Sequence, residues 1–69
     1  MSMQIYNIFK KGTDIAVKSD GNPVTYTTTY LQDGQIWETS ASADIAVESL
    51  QQREGIEFQK VGRPDDRHG

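Results

Sequence analysis

Residues 40–61 read SASADIAVESLQQREGIEFQKV, and this stretch decides the fold class. Ala43, Ala46, Val47 and Leu50 recur at i, i+3, i+4 and i+7, the apolar stripe of an amphipathic helix. Asp44, Glu48, Gln51 and Gln52 take the other side. Ser40 or Ser42 can cap the N-terminus by accepting an orphan backbone N–H. Asp44 falls in the expected first turn, where the helix dipole favours an acid. Gly55 is a natural C-terminal stop. Ile56–Val61 then reads as a strand with Ile56 and Phe58 on one face. A helix of about three turns is unstable alone in water, so its stripe must dock on a sheet.

The residues upstream supply that sheet. Residues 3–10, MQIYNIFK, are rich in β-branched and aromatic types and predict a strand. Lys11-Gly12-Thr13-Asp14 breaks it, and Ile15-Ala16-Val17-Lys18 is a short apolar run. Asp20-Gly21 is a hairpin-turn signal. Val24–Leu31 is the plainest strand pattern, with Val24, Tyr26, Thr28 and Tyr30 on one face and threonines on the other. A second Asp-Gly, Asp33-Gly34, turns the chain into Ile36–Thr39 as a partner strand. The expected fold is α+β: a small antiparallel sheet of four to five strands, order ββββαβ, with one α-helix packed on one face. A right-handed crossover through the helix would set the last strand near a parallel neighbour. The expected core draws on Ile5, Ile8, Ile15, Val17 and Val24, on Tyr26, Tyr30, Ile36 and Trp37, on the helix stripe, and on Ile56 and Phe58. Residues 1–61 form the single expected domain. Residues 62–69 have no apolar side chain except the ring of Pro64 and predict a disordered tail.

One tetrapeptide occurs twice: Asp14-Ile-Ala-Val17 and Asp44-Ile-Ala-Val47. A genuine repeat would adopt one structure twice. The first copy is followed within a few residues by Gly21 and Pro23, which leave little room for a helix. The match is therefore read as coincidence, with strand in the first copy and helix in the second.

Composition narrows the function. The chain has 69 residues, no cysteine and a single histidine, His68. No disulfide, thiolate zinc site or histidine-based triad can be built from that set. Formal charge is −3. Residues 1–35 balance Lys10, Lys11 and Lys18 against Asp14, Asp20 and Asp33, so the excess acid lies beyond residue 35. Nucleic-acid binders usually carry a basic excess to neutralise phosphates, so nucleic acid is not the expected partner. No apolar run spans a bilayer and the first residues lack a basic leader. A cytoplasmic protein is expected, with no membrane association.

No catalytic site is expected. Glu48, Glu54 and Glu57 alternate with polar residues as surface acids. No G-x-S-x-G elbow surrounds any serine, and the glycines are isolated rather than gathered into a phosphate loop. No cofactor or metal is expected. The aromatics are the more informative set. Tyr26, Tyr30 and Trp37 could pack beneath the helix, could anchor a protein partner, or could stack single-stranded bases. With few large aliphatics available, the core is the first use for them. Asp44 and Glu48 give the helix an acidic outer face. Tyr26, Tyr30, Trp37, Asp44 and Glu48 are thus the candidate partner-binding residues.

Residues 42–64, a helix followed by Gly-Ile-Glu-Phe-Gln-Lys-Val-Gly-Arg-Pro, resemble the end of a small phage-encoded family of bacterial RNA polymerase inhibitors. That family has a short sheet, one helix and a last strand ending near Arg-Pro. The likeness covers about a third of the chain and carries no functional residue across. The expected function is a non-enzymatic protein-binding module, a phage or mobile-element modulator or inhibitor of a host protein. A single-stranded nucleic-acid-binding sheet and a small self-associating virion or assembly component, such as a homodimer, are the alternatives.

Overall fold

A computed structural model describes residues 3–18, 27–29 and 31–65. It is α+β, with a small antiparallel sheet and one helix. The strands are β1 (Gln4–Lys10), β2 (Ala16–Val17), β3 (Thr27–Thr28) and β4 (Phe58–Pro64), and the helix is α1 (Ser40–Glu54). They lie in the order β3-β2-β1-β4. Only β1 and β4 are long, at seven residues each; β2 and β3 have two each.

The expected ββββαβ order does not form among the described residues. The predicted strand at 36–39 reduces to a single bridge, and it lies against β1: Trp37 and Tyr6 exchange backbone hydrogen bonds of 2.9 Å in both directions. Asp33-Gly34 is no hairpin turn. Leu31–Asp33 is a short 3-10 turn, and Gly34 bridges to Lys18. Gln35 N then donates to Val17 O at 2.8 Å. Residues 34–37 thereby sit between β2 and the first half of β1, where the two strands diverge. Within the predicted strand 24–31, Thr27–Thr28 pair with β2; Val24, Tyr26 and Tyr30 lie outside the described residues, as does the Asp20-Gly21 turn.

β1 is the central strand, and β4 pairs with it antiparallel along its whole length, from Gln4 opposite Pro64 to Lys10 opposite Phe58. Among the described residues β4 has no parallel neighbour. The last strand starts two residues later than predicted and runs past Val61 to Pro64. The ladder explains both shifts. Gly62, Arg63 and Pro64 have no hydrophobic pattern, but β1 offers them open backbone partners at Tyr6, Ile5 and Gln4. Ile56 stays outside the strand and 43 % exposed, so it is not a core residue.

Helix α1 ends as predicted but begins differently. Gly55 takes a left-handed φ of 72°, and its N–H bonds to Gln51 O. The cap at the other end is Thr39, whose Oγ1 accepts from Ser42 N at 3.1 Å. Starting the helix at Ser40 moves Asp44 out of the first turn. The stripe docks on the sheet as its spacing implies. Leu50 packs with Ile8, Val17 and Phe58, and Ala46, Val47 and Trp37 lie against that cluster. Ala43 is also buried. Among the described residues no helix is long and apolar enough to cross a membrane.

Candidate functional site

The alternation of β4 organises the surface where the candidate residues meet. Phe58 is in the helix-side core, so Lys60 and Gly62 share its face. Their partners across the ladder, Lys10, Ile8 and Tyr6, share it too. Lys60 reaches up to the helix. Its Nζ lies 2.8 Å from Asp44 Oδ1, donates to Ser40 Oγ at 2.6 Å, and stands 5.6 Å from the Tyr6 ring centroid. The ring of Tyr6 lies over Gly62: a Cβ added there would come within 3.0 Å of Tyr6 Cε1. Glycine is therefore the residue that lets the aromatic ring lie down on β4.

Asp44, Glu48 and Gln51 are spaced i, i+4 and i+7, so they form one flank of the helix. Both ends of that flank are tied to β4. Asp44 pairs with Lys60, and Gln51 Oε1 accepts from Phe58 N at 3.1 Å. Glu48, between them along the helix, is exposed and turns further from the buried stripe than either.

That margin is the outer edge of β4, which no described strand covers. At the ends of the β1–β4 ladder, Asp65 N donates to Met3 O and Lys11 N donates to Glu57 O. Hydrogen-bonded pairs alternate in an antiparallel ladder. The odd-numbered residues of β4 therefore bond to β1, and Phe58, Lys60, Gly62 and Pro64 turn their backbone groups outward. Gln51 occupies the N–H of Phe58, and Pro64 has none. Two outward N–H groups remain, those of Lys60 and Gly62, with the carbonyls around them. An edge lysine normally guards such a strand against pairing. Lys60 instead turns its charge inward to Asp44 and Ser40. On the opposite face of the same stretch, Val61 is 38 % exposed.

The structure brings Asp44 to this margin through its pair with Lys60 and leaves Glu48 exposed on the helix. Trp37 is half-buried, held to Tyr6 through its backbone and packed on the core cluster. Tyr26 and Tyr30 lie outside the described residues. Sequence reading overlooked Tyr6, Lys60 and Gly62. The period-2 pattern of residues 58–62 already aligned Phe58 with Lys60 and Gly62; only the pairing with β1 brings in Tyr6. It also missed Asn7, which is 1 % exposed. Asn7 Nδ2 donates to Gln35 O, and its Oδ1 accepts from Arg63 Nε, each at 2.9 Å. This holds residues 34–37 and β4 to the central strand on the face opposite the helix. Among the described residues, no three His, Cys, Asp or Glu side chains gather as a metal site would require. Comparison with protein-family models, curated proteins and solved structures yields no significant match.

Proposed function

We propose that this protein is a non-enzymatic binding module that takes an extended segment of another protein onto the outer edge of β4. The observation carrying this reading is the outward backbone groups of Lys60 and Gly62, which no described strand takes up and which are bounded by the Gln51 contact at Phe58 and by Pro64. Adding a strand to such an edge takes affinity from main-chain hydrogen bonds and specificity from alternate side chains. The exposed Val61 supplies an apolar contact on one face, and the helix flank supplies polar contacts on the other. Within this reading the chain acts in the cytoplasm as a modulator or inhibitor of a host protein, in line with the resemblance over residues 42–64.

The test is site-directed photocrosslinking in a host lysate. A crosslinking residue at position 61 captures a discrete protein, and one at Ile45, exposed on the far side of the helix, does not. Capture from position 45 alone, or equal capture from both, removes the β4 edge from the reading.

A further inference from the structure

We draw no further inference here: the strongest candidate, the outer edge of β4 at Lys60 and Gly62, belongs to the site already described, and nothing in the structure shows what strand covers it.

Discussion

Asn7 Oδ1 accepts a 2.9 Å hydrogen bond from Arg63 Nε, although 56 residues separate the two in the chain. The same amide group donates to Gln35 O from the other end. One buried side chain thus bridges the central strand, the last strand and the connection between β3 and α1. Asn7→Leu removes both bonds and leaves the Gln35 carbonyl without this donor. It is expected to cost about 2 kcal/mol, the scale of an orphaned buried polar group. Arg63→Ala leaves the Gln35 bond in place and costs less. Urea denaturation of both variants checks the order; equal losses would contradict it.

Lys60 and Asp44 form an exposed ion pair, since 63 % of the Asp44 side chain remains open to solvent. Screening keeps such pairs weak. Lys60→Met is expected to lower stability by at most about 1 kcal/mol. A double-mutant cycle with Asp44→Asn should show a coupling that shrinks as salt is raised from low to molar concentration.

The helix cap separates two readings of its N-terminus. Thr39 Oγ1 accepts from Ser42 N, while Ser40 receives the Lys60 ammonium. Thr39→Ala should cost about 1 kcal/mol. Ser40→Ala should cost less, because it removes no cap. Thermal unfolding by circular dichroism at 222 nm distinguishes the two.

Gly62 is held to glycine by its neighbour. Gly62→Ala sets a Cβ 3.0 Å from Tyr6 Cε1 and 3.1 Å from Gln4 Oε1, tighter than most real contacts. The expected loss is about 1 kcal/mol from displaced packing. In a Tyr6→Ala background the same substitution should cost little, because the ring no longer competes for the space. An additive double mutant would show that the ring is not the cause.

Trp37 distinguishes core from base-stacking platform. It packs against the cluster of Ile8, Val17, Leu50 and Phe58, and its backbone is bound to Tyr6. Its fluorescence should therefore remain unquenched when single-stranded oligonucleotides are titrated in at low salt. Salt-sensitive quenching would revive the nucleic-acid reading of the sheet.

The twice-used tetrapeptide shows how local pattern and context divided the work. In residues 14–17, Ala16 and Val17 are buried in a strand; in residues 44–47, the same sequence is helical and Ile45 is 67 % exposed. Flanking chemistry separated the two copies in advance: Gly12, Gly21 and Pro23 beside the first, Ala43, Leu50 and Gly55 around the second. The candidate site was less legible. Asp44 and Glu48 were visible as an acidic helix face, but nothing local says that Asp44 pairs with Lys60 on an edge strand. Asn7 was invisible for a related reason. A polar residue between apolar neighbours in a strand normally faces solvent, and its burial depends on partners 28 and 56 residues away.

By itself the sequence determined the existence of helix α1, its buried stripe, its stop at Gly55, and an α+β class with an antiparallel sheet. Each follows from spacing and backbone preference within a few residues. Only the tertiary structure decided that β1 is the central strand, that β4 continues to Pro64, and that residue 37 bridges β1 rather than pairing with the strand before it. Those outcomes depend on which backbone groups find partners across the ladder, and hydrogen bonds between distant segments leave no periodic trace in the chain. The same distinction applies to the candidate site: the helix carboxylates were readable, whereas the edge of β4, where Lys60 meets Asp44, arises from strand order.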